Sequence, residues 1–454
     1  MTSESQAPVQ PVALLRPFAL VDRSELARLG WSFLFFFSLL GGYFMLRPVR
    51  EAVAVANGVN NIPWLFTGTF VVMILLTPVY GWVVARYPRR VFLPIVYLFF
   101  ISNLLSFYFL FHFQIQAQLV TQIFFIWISV FNLFVVSVFW SFMVDIYRSS
   151  QARRLFGLIA AGGSLGAIVG PLFTATLASV IGVANLLLGA SLMLSVATFC
   201  IFKLRGHSQE KDPSQRQEDD EALGGSVFEG ALKVLSSRYL LLVCAIMLLH
   251  NSSATFLYNI RAHVVAQATE DFTRYTTIFG WVDFSVNVVA LLLQALLTVR
   301  LVHRYGMART MMIIPAVLLL GFGAMGAMPV LMLVIGVQVA QRSMNYGLIA
   351  PSKEMLFAPV DREIKYKSKN FIDTVIYRGS DVISGWAFRF LKDAGLSLGA
   401  ISWVLMPFLA LWIWVAWRLG GHYQGLHEVS VAQAHQRANQ AANDAELERS
   451  LSPG

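Results

Sequence analysis

The sequence predicts an all-α polytopic membrane protein, with twelve transmembrane helices in two pseudo-symmetric six-helix bundles. Three observations carry that expectation. Hydrophobic residues fill 57% of the 454 positions and charged residues only 13%, about half the charged share of an ordinary soluble chain. Twelve apolar runs are each long enough to cross a hydrocarbon core roughly 30 Å thick. One long polar stretch divides those runs six and six. Together these exclude a soluble enzyme, a disordered chain and a fibrous repeat. A β-barrel is excluded too, because its strands alternate in polarity and these runs are continuous. The net charge of +9 does not point to nucleic acid, since Lys and Arg sit in short connections between apolar runs. The expected partners are the lipid bilayer and a small-molecule substrate, taken up by a monomer. Cys200 and Cys244 lie inside apolar stretches and are too few for a disulfide framework or a metal cluster.

The spans fall at 27–46, 62–85, 91–113, 117–144, 155–180, 183–202, 239–260, 276–299, 308–327, 328–350, 370–391 and 399–418. Residues 1–26 hold prolines and charges but no apolar h-region, so span 1 is expected to act as an uncleaved signal-anchor. Counted with the adjoining span ends, connections after even-numbered spans hold twenty Lys and Arg. Those after odd-numbered spans hold six: Arg47, Arg50, Arg261, Arg274, Arg389 and Lys392. Positive charge stays on the cytoplasmic side, which places both termini in the cytoplasm, with a bacterial inner membrane as the expected location.

The expected organisation is a cytoplasmic segment 1–26, an N-terminal bundle 27–202, a linker 203–238, a C-terminal bundle 239–420 and a cytoplasmic tail 421–454. The linker carries Glu210, Asp212, Glu218, Asp219, Asp220 and Glu221 among Ser, Gln and Lys, a composition that cannot bury a core. Its end, 225–238, is expected to form an amphipathic surface helix. The halves look related. Arg86-Tyr87-Pro88-Arg89-Arg90 follows span 2, and Arg304-Tyr305-Gly306 follows span 8. Gly162-Gly163-Ser164 near span 5 matches Arg378-Gly379-Ser380 near span 11 at a similar offset. Two parallel six-helix repeats joined by a cytoplasmic loop are the organisation of the major facilitator fold. Gly81 to Arg90 resembles the loop-2/3 signature of that fold, with Ala85 where Asp is expected. Gly162, Gly166 and Gly170 repeat every four residues, spacing that lets helix backbones approach closely.

Charge inside a span is costly, so it pairs or lines a cavity. Span 1 ends in Leu46-Arg47-Pro48-Val49-Arg50-Glu51. If the helix continues through Pro48, Arg47 and Glu51 stand four apart and can pair, leaving Arg50 nearer a cavity. The alternative is a helix end snorkelling to the outer interface. Asp145 and Arg148, with Arg153 and Arg154, read either as a cytoplasmic gate or as the positive-inside signal. Span 7 is unusually polar, with His250, Asn251, Ser252, Ser253, Tyr258, Asn259 and Arg261. His250 either relays protons or packs as a hydrogen-bonded residue. Asp283 is the deepest acid, with Arg342 its natural partner and Arg378 the second. In span 11 Asp373 and Tyr377 share a face, and Arg378 and Asp381 stand three apart, allowing an internal ion pair. An arginine in such a cavity suits phosphate or carboxylate, which its planar fork binds bidentately. The chain holds no HExxH, P-loop, CxxC or GxSxG, so no enzyme activity, cofactor or metal is expected.

Three stretches resemble the ATP/ADP (nucleotide) translocases of intracellular bacteria and plastids. The first runs from Leu46-Arg47 through Arg50-Glu51-Ala52-Val53-Ala54-Val55 to Ile62-Pro63. The second runs from Phe139-Trp140 and Asp145 to Arg153-Arg154 and Phe156-Gly157. The third holds Asn345-Tyr346, Pro351-Ser352-Lys353-Glu354-Met355, Pro359, Lys365, Lys367, Lys369, Asp373 and Arg378. The resemblance implies a major-facilitator-like carrier, an antiporter moving an anionic, nucleotide-like solute by alternating access. By matching position it makes Arg47, Arg50, Glu51, Asp145, Lys353, Glu354, Asp373 and Arg378 candidate functional residues. The residue reading adds Tyr258, Asn259 and Arg342 for substrate, and His250, Asp283 and Asp381 for coupling or gating. Two positions depart from the pattern. Asp381 stands where the translocases tend to have Lys, and the acidic residue of span 7 is replaced near Tyr258. Proton-coupled movement of another organic solute, and a non-transporting membrane scaffold or sensor, are the alternatives.

Overall fold

The computed structural model describes residues 25–86, 89–115, 117–147, 149–205, 232, 234–357, 360, 364, 368–369 and 371–423, and its regular structure there is all helix. In chain order the helices are α1 (Leu26–Ala56), α2 (Ile62–Arg86), α3 (Arg89–His112), α4 (Ala117–Ile146), α5 (Ser149–Ile181) and α6 (Val183–Leu204). The second half contributes α7 (Arg238–Ala268), α8 (Phe272–Leu293), α9 (Val299–Ala327), α10 (Leu331–Met344), α11 (Ala350–Leu356) and α12 (Tyr377–Asp393), then α13 (Leu398–Tyr423). Among the described residues ten helices are long and apolar enough to cross a membrane, where twelve spans are expected from the sequence.

The two remaining segments are helical but interrupted. The one expected at 328–350 passes from α10 into a π-turn, Asn345–Ile349, and on into α11. The one expected at 370–391 opens on a π-turn, Ile372–Ile376, before α12. Both carry polar groups at mid-length, Gln338, Gln341 and Arg342 in one and Arg378, Ser380 and Asp381 in the other. A further π-turn, Gln294–Thr298, ends α8, and Gly306 (φ 76°) breaks the start of α9. α1 continues through Pro48 to Ala56, where the Asn57 side chain turns back to the Val53 carbonyl at 3.0 Å. The linker from 206 to 231 and the tail from 424 lie outside the described residues, and so does most of the expected surface helix.

The chain forms two compact units, each drawing on both halves of the sequence. Unit 1 comprises 1–57, 71–212 and 269–287; unit 2 comprises 58–70, 213–268 and 288–454. In unit 1 the small residues of α5 set the packing. A Cβ at Gly166 would fall 2.3 Å from the Phe37 carbonyl oxygen, and one at Gly170 2.4 Å from that of Gly41. Only glycine admits that backbone approach. Thr174 seals it by donating to the Met45 carbonyl at 2.7 Å. Gly280 does the same for α8, where an added Cβ would meet the Ala175 nitrogen at 2.8 Å.

Unit 2 is cored by Val243, Ile246, Leu257, Phe322 and Trp412. Residues 58–70 pack there against α12. Trp64 meets Trp386 edge-on at 4.9 Å, and the Trp386 indole N–H donates to Thr67 at 3.1 Å.

Candidate functional site

In unit 1 the uninterrupted α1 carries Arg47, Arg50 and Glu51 inside a membrane-spanning helix. Arg50 donates to Glu51 Oε1 at 2.5 Å and to Ser129 Oγ of α4 at 3.2 Å, and its guanidinium lies 5.0 Å from the centre of the Phe125 ring. Arg47 Nε stands 3.7 Å from Asp283 Oδ2 of α8. The close crossing of α8 over α5 at Gly280 places Asp283, about one turn further on, where it reaches α1. Glu51 and Asp283 are buried, 2% and 1% exposed. Two cations and two carboxylates thus meet in pairs, the usual condition for charge away from water.

Glu51 meets Arg50 at hydrogen-bond distance, a neighbour in sequence, and Asp283 meets Arg47, a partner that the sequence reading did not name.

In unit 2 a polar cluster joins α7 to α12. Asp381 Oδ1 accepts from Asn251 Nδ2 at 2.9 Å and from Thr255 Oγ1 at 2.7 Å. Asn251 Nδ2 also lies 2.7 Å from both Ser380 Oγ and the Tyr377 carbonyl. Arg378 Nη1 stands 3.8 Å from Asp381 Oδ2, the ion pair their spacing predicts. Tyr258 is half-buried, its ring 5.4 Å from Phe66 and 4.8 Å from the Arg261 guanidinium carbon. Asn259 spends a side-chain N–H on the Thr255 carbonyl of its own helix at 2.8 Å. His250 is buried in the core, edge-on to Trp412 at 5.3 Å. Arg342 is buried in α10.

Lys353 pairs with Asp373, and Lys369 meets both Glu354 oxygens, at 2.6 and 2.8 Å. These two contacts tie α11 to the start of the α12 segment. Asp145 is half-buried in the last turn of α4, while Arg148 lies outside the described residues. Glu25 is a residue the sequence reading passed over. It is buried at the start of α1 and accepts from Gln151 at 2.7 Å and from Arg154 at 3.0 Å. Beside it, burial pushes the Tyr147 phenol above its ordinary range, opposed by a hydrogen bond with Ser32. Thr255 and Ser380 were passed over as well. The available signal was the four-residue spacing of Asn251, Thr255 and Asn259, a polar stripe along one face of an apolar helix.

Comparison with known proteins places this arrangement in context. The family model described as Major Facilitator Superfamily matches residues 30–352. "ADP,ATP carrier protein 2" of Chlamydia pneumoniae is 23% identical, covering 94% of this chain and 95% of its own length. Among solved structures, a bacterial homologue of the iron transporter ferroportin aligns with a TM-score of 0.64 at 14% identity, covering 90% of this chain and 99% of that one. The nucleoside transporter NupG aligns with a TM-score of 0.57 at 12% identity, covering 89% and 99%. The two structures share the fold.

Proposed function

The chain belongs to the Major Facilitator Superfamily, and we propose that this member exchanges an anionic, phosphorylated or nucleotide-like solute across a bacterial inner membrane. It is an integral membrane protein and a secondary transporter. One observation carries the anion reading: Arg47 and Arg50 lie inside a membrane-spanning helix, each set against a carboxylate. Arginine is the side chain best shaped for a phosphate or carboxylate, and a buried arginine keeps its charge. The similarity to a Chlamydia ADP,ATP carrier over nearly the whole chain supports the same solute class.

In this reading Arg47, Arg50, Arg342 and Arg378 neutralise the solute, with Tyr258 offering a ring face. Asp283 and Asp381 balance the arginines while the site is empty. Lys353, Glu354 and Asp373 form ion pairs that open and close during the cycle, and Asp145 is a further gating residue. The carrier works as a monomer with both termini in the cytoplasm, and its halves alternate around a site near the bilayer midplane.

The test is a thermal-shift series on purified carrier against ATP, ADP, phosphorylated metabolites, organic acids and lipids. A ligand that binds only the folded state raises apparent stability with the logarithm of its concentration once above Kd. Dose-dependent stabilisation by ADP is expected. It should vanish in a double variant, Arg50→Gln with Glu51→Gln, that removes the pair without stranding Glu51. Stabilisation by a neutral or cationic solute alone would overturn the anion reading.

A further inference from the structure

Resting on the exchange reading above, we infer that Asp381 is a specificity-determining residue that limits the solute's charge, so that the preferred solute carries a single phosphate group. Depth in the membrane is the first step. Asp381 Oδ1 accepts from Asn251 at 2.9 Å and from Thr255 at 2.7 Å. Both donors lie near the middle of α7, a 31-residue helix long and apolar enough to cross a bilayer. Asp381 therefore stands at mid-membrane depth. Its side chain is nevertheless 19% exposed, and that of Arg378 27%. Charge at that depth faces water and not hydrocarbon, so the exposed part of the pair borders a polar cavity. Gly379, between the two, borders open space as well, since an added Cβ there meets nothing within 4 Å.

Charge arithmetic then decides what the cavity accepts. Asp381 takes hydrogen bonds from Asn251 and Thr255 on one oxygen and has Arg378 Nη1 3.8 Å from the other. Accepting on both sides is the role of an ionised carboxylate, so the pair cancels in formal charge. A guanidinium has several N–H donors, and Arg378 can grip a phosphate while it stays beside Asp381. The first phosphate of a solute gains that charge-assisted contact. A second or third phosphate brings more negative charge near the carboxylate without bringing another arginine to the pair. A unit charge about 10 Å from another, at an effective dielectric of about 20, changes an equilibrium on the order of tenfold. Asn251 and Thr255 tie the carboxylate to α7, so it does not swing aside from the added charge.

The experiment measures binding of radiolabelled AMP, ADP and ATP to purified carrier, without magnesium and at fixed ionic strength. Wild type is expected to bind AMP roughly tenfold more tightly than ATP. Asp381→Asn keeps the size and an acceptor oxygen but not the charge, and should move the ATP-to-AMP affinity ratio roughly tenfold toward ATP. Asp381→Glu keeps the charge and should keep the preference for AMP. Thr255→Val loosens the cluster without changing its charge, so the ratio should hold there too. A merely structural Asp381 would weaken the binding of all three nucleotides alike, which makes the ratio the readout. Asp381→Ser, also uncharged, serves if the Asn variant does not fold. A wild type that prefers ATP, or a ratio unmoved in the uncharged variants, overturns the charge limit and leaves the exchange reading standing. If wild type binds none of the three, the nucleotide reading falls and the charge limit falls with it.

Discussion

The most deeply buried charged residues of unit 1 are acids, whereas those of unit 2 are arginines. Glu25, Glu51 and Asp283 of unit 1 meet Arg154, Arg50 and Arg47 respectively. Among the described residues of unit 2 the corresponding ones are Arg261 and Arg342, and Arg378 is half-buried beside Asp381. Unit 1 thus meets the cost of desolvating charge internally, one carboxylate to one arginine. Unit 2 carries formal positive charge in excess of its mid-span acid. A carrier for an anion needs both properties: a balanced part that tolerates the empty state, and a positive part that rewards the solute's arrival.

The largest effect should come from breaking the balance in unit 1. Arg50→Ala removes the 2.5 Å partner of Glu51, which is 2% exposed. Leaving a buried charge without its partner costs about 3–5 kcal/mol, so the melting temperature of the purified carrier should fall sharply and uptake should cease. Arg50→Gln with Glu51→Gln removes both charges and should recover most of that stability while uptake stays lost. If the double variant melts as low as Arg50→Ala, charge balance is not what holds α1. In unit 2 the matching substitution sharpens the comparison. Arg342→Ala is expected to weaken anion uptake by roughly tenfold to a hundredfold in KM, with Arg342→Lys restoring only part, because an ammonium lacks the planar fork. A KM that stays at the wild-type value would remove Arg342 from the site.

How much of this was legible in the sequence differs with the range of the interaction. The first six spans could be read from hydropathy because each is a single apolar helix. The same reading marks the segments at 328–350 and 370–391 but not the turns that interrupt them, since a π-turn is a change in backbone hydrogen bonding that side-chain polarity does not report. The local pair Arg378–Asp381 follows from helical spacing. Asp283 could be recognised as a residue needing a partner, yet its partner Arg47 lies far away in sequence, and only the close approach at Gly280 brings them together. Glu25 escaped because it precedes the first apolar run and looks like part of a solvated tail. Its acid at a helix N-terminus was the missed sign.

Packing separates the units as clearly as charge does. Gly166→Ala or Gly170→Ala in unit 1 forces a Cβ to within 2.3 or 2.4 Å of a carbonyl oxygen of α1. The obstacle is backbone, so the helices must move apart, at a cost of about 1–3 kcal/mol. Thermal unfolding in detergent should show a fall of that size. A smaller fall is expected from Thr255→Val in unit 2, which removes a side-chain donor to Asp381 Oδ1. One hydrogen bond contributes about 1 kcal/mol, and Asn251 remains to hold the carboxylate. Loss as large as at Gly166 would mean that the α7–α12 cluster is as tightly built as the α1–α5 crossing.

Gly336 and Gly379 provide the weakest perturbation and the most direct contrast. They lie in α10 and α12 of unit 2, and an added Cβ at either meets nothing within 4 Å. Neither has a positive φ, so glycine's conformational freedom is not in use there. Alanine at such a helical position should stabilise slightly, by up to about 1 kcal/mol, because it restricts the unfolded chain and favours the helix. The melting temperature of Gly336→Ala and Gly379→Ala should therefore hold or rise while that of Gly166→Ala falls. Gly379 adds a second reading through its place between Arg378 and Asp381. If Gly379→Ala keeps full stability yet slows uptake, the open space beside it is space the solute uses. A variant with both stability and uptake intact would confine the solute's contacts to other faces of α12.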